Sequence, residues 1–402
     1  MDVDETAECM STETSSLPKW QLQVVQVAQS IATTMILYGQ PYYAKRALGW
    51  GPSSIALAQI TIGILTAISS VLGGRLIERR GCRASMKLGL VGVGTGAFAG
   101  LCLPEGWNMV LAIALVGCFQ GFIWPAIEAA INRGEPQRRV QQLVGLYNLG
   151  WSGGSGLSFF ITTPLMSLFS LRAMFALPLT LYLFNMLMVW KVLPDYDSLP
   201  DEHHTVVDPD GAELTPQQRH AFRLLGWLAN PMAYVAINVI VTYNPLVAQR
   251  IGIGFATASS WFSLWFYVRM LAFDLLRRWS GWHYRLNMLM GAFGLMMVAF
   301  AGMMLAPSLA EHLAMQVLFG LSIGLLYQSS LFYSMAGSKE KGTHGGFHES
   351  FIGLGLASGA TLAFVGDRLA PHTPGVSVVM VWAVMAAGLL LMWRIVRSLR
   401  SS

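Results

Sequence analysis

The chain has 402 residues, 54% of them hydrophobic and 12% charged, with a formal net charge of +5. A soluble domain carries about 25% charged residues, so this composition excludes an ordinary soluble protein and points to the membrane. The surplus of positive charge does not mark a nucleic-acid partner, because it is sorted by position along the chain in the way membrane orientation requires.

Residues 1–20, "MDVDETAECMSTETSSLPKW", are acidic and polar. They lack the basic start and short apolar run of a secretory signal, and read as a cytoplasmic tail. Six apolar runs follow, roughly 22–44, 52–74, 85–104, 108–131, 140–166 and 169–193. Each approaches the twenty or so residues needed to cross a hydrocarbon core about 30 Å thick. They make a first six-helix bundle over 21–193. Residues 194–220 are rich in Asp, Pro and His, lack an apolar period, and read as a cytoplasmic linker. Six more runs, roughly 222–248, 254–276, 286–306, 309–335, 346–366 and 374–396, make a second bundle over 221–397. A short tail, 398–402, closes the chain. The expected fold class is an all-α membrane protein with twelve transmembrane helices in two six-helix repeats. Cys9, Cys82, Cys102 and Cys118 match no metal or redox spacing and read as apolar filler. The methionines of the ninth run read as filler too.

With twelve spans both termini share one side. Of 26 lysines and arginines, only Lys45, Arg46, Arg172, Arg250 and Arg368 fall on the other side, and Arg269 falls within a span. This split places the termini in the cytoplasm, of an inner or plasma membrane. The halves also repeat. Shifting span 5 by 201 residues lays Gly145 on Gly346, Gly154 on Gly355 and Asn148 on Glu349. Shifting span 4 by 203 lays Gly121 on Gly324 and Trp124 on Tyr327. Six spans separate the matches, so the repeat is parallel, about an axis along the membrane normal.

Between spans 2 and 3, "GRLIERRGCR" fits Gly-x-x-x-Asp/Glu-Arg-x-Gly-x-Arg/Lys through Gly74, Glu78, Arg79, Gly81 and Arg83. Here the chain resembles the major facilitator superfamily (MFS) of secondary transporters, over nearly its whole length. The resemblance implies that the motif is a gate latch. Glu78 would sit at the N-terminus of span 11, favoured by the positive helix end, with Arg79 and Arg83 tying it to nearby carbonyls and carboxylates. The other reading is a basic loop that only sets orientation. Three departures stand out: the 8–9 loop keeps Arg277 and Arg278 without the glycine frame, Gly117 occupies a frequent arginine position of span 4, and the span-5 glycines lack the family's Gly-Pro pair.

The resemblance also implies that spans 1, 4, 7 and 10 line a central cavity. Their polar and aromatic residues, spaced by three or four along one face, are Gln26, Thr33 and Tyr38, then Gln120 and Trp124, then Asn238, Tyr243 and Asn244, then Tyr327 and Gln328. Each could instead hydrogen-bond between helices. Pro125 is positioned to kink span 4. Ionisable groups inside spans are costly and point to function. They are Glu128, Arg269, Asp274, His348 and Glu349, a candidate proton or charge relay. Asn148 or a span-5 carbonyl is a candidate partner for Arg269. Asp274 reads as a contact near the inner surface. His348 and Glu349, placed at the start of span 11, would meet Glu78 and form a proton-sensitive gate; a static salt-bridge network is the alternative.

The implied function is secondary transport of a small organic solute by alternating access, driven most simply by protons, with efflux favoured over uptake. The few fixed charges favour a neutral, weakly cationic or amphipathic solute over a polyanion. A nutrient symporter, or a non-transporting sensor or assembly factor with the same fold, are the alternatives. No phosphate-binding glycine loop, catalytic constellation, metal site or cofactor motif is present in the sequence. The expected partners are the solute, protons and the lipid bilayer, with no nucleic acid, and the chain is expected to be a monomer and not an enzyme.

Overall fold

The structure, a computed structural model, describes residues 19–135, 137–199, 211–336, 338 and 340–400. Cys9 with most of the N-terminal tail, residues 200–210 of the linker, Lys339 and the end of the C-terminal tail lie outside them. Twelve helical spans follow in order: Trp20–Leu48, Pro52–Arg80, Cys82–Cys102, Trp107–Asn132, Gln137–Leu168 and Ala173–Val192, then Pro216–Arg250, 258–278, Leu286–Leu305, Leu309–Met335, Lys341–Leu369 and Pro374–Arg400. Spans 4 and 8 are each broken once, after Gln120 and Trp261. In span 4 the cause is Pro125, whose ring has no N–H for the Gly121 carbonyl and crowds it.

Among the described residues nine spans are long and apolar enough to cross a membrane by length and composition. The three that fall short are spans 1, 5 and 8. They carry Gln26 and Gln29, Asn148, and Arg269, all buried inside the protein rather than turned to lipid. Lipid-facing apolar side chains such as Phe98, Leu187, Val298 and Leu390 lie on spans 3, 6, 9 and 12.

Several helices run further than their apolar cores. Span 2 continues to Arg80, so the signature is helical up to the single turn residue Gly81, whose φ of 84° suits glycine. Span 11 begins at Lys341, five residues earlier than 346. Span 7 begins at Pro216, within the segment 194–220 expected to be linker. Thr215 and Gln218 form a capping box there, and Pro216 takes the first helical position. These ends project beyond the hydrocarbon, where charge costs little, so hydropathy does not register them.

Spans 1–6 and 7–12 form two bundles that meet mainly through span 2 against span 11 and span 5 against span 8. Span 2 and span 11 pack backbone to backbone. A methyl group added to Gly74 would come 2.8 Å from the Gly342 carbonyl oxygen, and one on Gly353 would come 2.8 Å from that of Gly63. Small residues allow this approach where lipid supplies no hydrophobic drive between helices. The glycines matched by the repeat behave as equivalents. Gly145 packs on Arg277 of span 8 and Gly346 on Ser70 of span 2; Gly154 packs on span 1 at Val27 and Ser30, Gly355 on span 7 at Pro231 and Tyr234; Gly121 packs on span 2, Gly324 on span 8. Each pair exchanges one helix for its counterpart six spans away.

Gly353→Ala is therefore expected to destabilise the protein in detergent by about 1–3 kcal/mol, the usual cost of overpacking. Gly294→Ala, which meets nothing within 4 Å, is expected to leave the melting temperature unchanged or raise it. Equal behaviour of the two variants would contradict the seam.

Candidate functional site

A cavity of about 90 Å³ lies between the bundles. Thr33, Tyr38, Gln120, Trp124, Asn238 and Tyr327 are in its wall. Four residues expected there are elsewhere. Gln26 donates to the Tyr147 carbonyl oxygen at 2.9 Å and joins span 1 to span 5. Tyr243 bonds Ser377 at 3.0 Å and the Ala363 carbonyl. Gln328 accepts from Asn148 at 2.6 Å. Asn244 is buried outside the wall. The wall also takes residues from spans 2, 5, 8 and 11: Gln59, Thr66, Tyr147, Trp151, Phe266 and Glu349 among them. Lining and bonding between helices coincide: Gln120 donates to Thr66 at 2.5 Å, and Thr34 to Ser155 at 2.7 Å.

Three ionisable side chains meet beside the cavity. The ligand atoms of Glu128, His348 and Glu349 all lie within 4.8 Å of one another, and all three residues are buried. Glu128 comes from span 4, one turn past its break; His348 and Glu349 come from span 11. The two carboxyl groups face each other across the interface, with an oxygen of each within 4.8 Å of the other. Tyr147 donates to Glu128 Oε1 at 3.3 Å, while Glu128 Oε2 has no N–H or O–H partner among the described residues. His348 Nδ1 pairs with the Ser330 hydroxyl at 3.1 Å, and its Nε2 has no partner. This set has the composition to hold a divalent cation, a use no spacing in the sequence suggested. Because span 11 starts early, His348 and Glu349 lie two turns inside it. Glu349 therefore meets Glu128 and not Glu78, which corrects the expected repulsion.

A second polar pair crosses the same interface. Asn148 on span 5 donates to Gln328 on span 10 and accepts from Trp151 Nε1 at 3.0 Å. The repeat relates span 5 to span 11 and span 10 to span 4. Asn148 is the repeat counterpart of Glu349, but Gln328 falls on Pro125 and not on Glu128, so the amide and carboxyl pairs join related spans without matching residue by residue.

Arg269 on span 8 is 2% exposed. Its Nε donates to Ser152 of span 5 at 3.3 Å, so its partner is neither Asn148 nor a carbonyl. Its guanidinium lies 4.2 Å from the Trp151 ring, 4.8 Å from Trp265 and 5.0 Å from Phe266. Asp274 lies apart, held by Arg277 and Arg278 of its own helix.

At the face that carries the termini, the Thr343 N–H of span 11 donates to Glu78 Oε1 at 3.1 Å. Gly74 allows the approach. Arg83 donates to the Val189 and Trp190 carbonyls, in the π-helical end of span 6. Arg79 is exposed and holds no carbonyl or carboxylate among the described residues. Two groups here escaped sequence reading. Asp197 in the linker accepts from the Cys82 N–H at 2.9 Å and pairs with Arg133 at 2.8 Å, capping span 3. Lys341 reaches across the bundles to the Asn132 carbonyl at 2.9 Å. At the opposite face, Asp367 of span 11 accepts from the Ser53 N–H at 3.1 Å, at the start of span 2. The two antiparallel helices therefore cap each other, each offering an acid to the other's N-terminus.

A family model described as the Major Facilitator Superfamily matches residues 23–360. Among solved structures, the human organic anion transporter MFSD10 (TETRAN) is 15% identical, with a TM-score of 0.71, over 94% of this chain and 100% of that one. A bacterial homologue of the human drug peptide transporters PepT1 and PepT2 is 14% identical, with a TM-score of 0.68, over 95% and 98%. A structure from work on proton dependent oligopeptide transporters is 14% identical, with a TM-score of 0.69, over 94% and 97%. At these identities the likeness is one of fold. No curated protein sequence matches.

Glu78→Ala removes the acceptor at the start of span 11. In a chain whose native cysteines are replaced by serine, a cysteine at Ser155 in the cavity wall is then expected to be alkylated from the termini side roughly two- to fivefold faster, the effect of losing a modest helix cap. An unchanged rate would show that this contact does not hold that end closed.

Proposed function

The chain belongs to the Major Facilitator Superfamily, and on that premise we propose that it is a proton-coupled secondary transporter of a small organic solute, working by alternating access. The family and fold make it an integral membrane protein of transporter architecture. We assign the termini to the cytoplasm of an inner or plasma membrane, from the charge asymmetry, and read the chain as a monomer.

The observation that carries the coupling is the close approach of two buried acids, Glu128 and Glu349, with oxygens within 4.8 Å of each other. A carboxylate only accepts hydrogen bonds, so on this reading one of the two bears a proton and can donate to the other. Two ionised groups at that range, in a medium of low dielectric, repel strongly. The residues belong to different bundles, and their bond draws span 4 to span 11 when a proton is present. Loss of that proton would set them apart and favour separation of the bundles at the termini face. Glu349 also lies in the cavity wall, so solute and proton act on one group. The organic solute class fits a cavity of aromatic rings with scattered hydroxyl and amide groups. Efflux is the direction we assign over uptake; the span-5 glycines, which lack the family's Gly-Pro pair, do not decide it.

The test is solute-driven proton movement in proteoliposomes holding a pH-sensitive dye, with solutes chosen by thermal stabilisation of the purified protein. Glu128→Gln and Glu349→Gln are each expected to lower coupled proton flux at least tenfold while solute exchange without a gradient persists. Coupling at the native level in both variants would overturn the assignment. The sign of the proton movement reports efflux or uptake.

A further inference from the structure

We infer that Arg269 is the anion-binding group of the cavity, and that the solute carries a single negative charge, a carboxylate or its equivalent, on a small aromatic or apolar body. This rests on the transporter reading above and names its solute class.

A buried guanidinium is costly unless paired. Arg269 has no carboxylate within ion-pair range among the described residues, and one of its terminal nitrogens, Nη2, has no hydrogen-bond partner. The acids that could serve it are engaged elsewhere. Asp274, five residues further on, is held by Arg277 and Arg278. Glu128 and Glu349 face each other, with oxygens within 4.8 Å, and neither forms an ion pair with Arg269. What surrounds Arg269 is aromatic: Trp151, Trp265 and Phe266 present ring faces, and the Tyr38, Tyr234 and Tyr327 hydroxyls lie near enough to act on its charge. Ring faces offset part of the desolvation cost. Nε donates to Ser152, and Nη2, on the side of the fork that matches a carboxylate, has no acceptor among the described residues.

The position fits a binding group. Tyr38, Trp151, Tyr234, Phe266 and Tyr327 are all in the cavity wall; Arg269 is not itself part of the wall but packs against two of these rings, Trp151 and Phe266. These rings come from spans 1, 5, 7, 8 and 10, and an anion held there would contact both bundles. The same rings supply flat apolar surface for the solute's body, and the volume of about 90 Å³ restricts that body to a small one. A fixed polyanion would exceed the single positive charge available, in keeping with the low charge of the rest of the wall.

The test compares benzoate with benzamide, two probes of one shape and different charge, on the full-length protein in detergent. Tryptophan fluorescence reads the cage through Trp151 and Trp265, and thermal stabilisation reads occupancy. Benzoate is expected to act at concentrations about tenfold or more below benzamide, as a charge-assisted pair predicts. Arg269→Gln is expected to bring the ratio to about one, and Arg269→Lys to retain a weaker preference. Equal action of the probes on the native protein, no response to either at millimolar concentration, or a preference that survives Arg269→Gln would overturn the inference. The native ratio needs no variant, so a misfolded substitution does not shield it. Binding in detergent needs no gradient, and so is separable from failure of proton coupling.

Discussion

Two carboxyl groups buried between apolar helices repel unless a proton lies between them, and the protein places such a pair on opposite sides of the interface between its two bundles. Glu128 belongs to one bundle and Glu349 to the other. Neither has an ion-pair partner among the described residues, and on the proposed reading a proton joins them. The break in span 4 matters because it sets the short segment Trp124–Asn132 against span 11. The glycines Gly345 and Gly346 matter because they let span 11 lie close to Glu128 and span 2.

Around that pair the interface is built twice. The hydrogen bond between the Asn148 and Gln328 side chains joins the related spans 5 and 10 and needs no added proton. The ends of span 2 and span 11 repeat the device at larger separation. Glu78 caps one helix at the termini face, and Asp367 caps the other at the far face. With both caps made, the bundles are tied at both ends and the cavity between them is small. Rocking about the cavity requires one cap to break while the other holds, which an antiparallel pair of reciprocal caps allows.

Much of this was legible in the sequence. Hydropathy gave the order and number of spans, because lipid admits little else. The repeat was visible in glycines, since close helix approach tolerates no other residue at Gly145, Gly346 or Gly355. The signature loop announced Gly74 and Glu78 at the correct end. Depth was less legible. Apolar counting cuts a helix where its charged end begins, which set span 11 five residues late and paired Glu349 with the wrong acid. The cavity wall was half found: a polar residue at helical spacing can face a cavity or a neighbouring helix, and Gln26, Tyr243 and Gln328 face helices. Asp197 was hidden in a segment read as linker, and the isolation of Arg269 from any acid depends on three helices that no local pattern relates.

The most direct test of the central claim is infrared spectroscopy of the protonated carboxyl group at neutral pH, comparing native protein with Glu128→Gln and Glu349→Gln. The account predicts a protonated-carboxyl band in the native protein that is lost or shifted in each variant. A native protein without that band, or a band unchanged by both substitutions, would mean that no proton is held between Glu128 and Glu349.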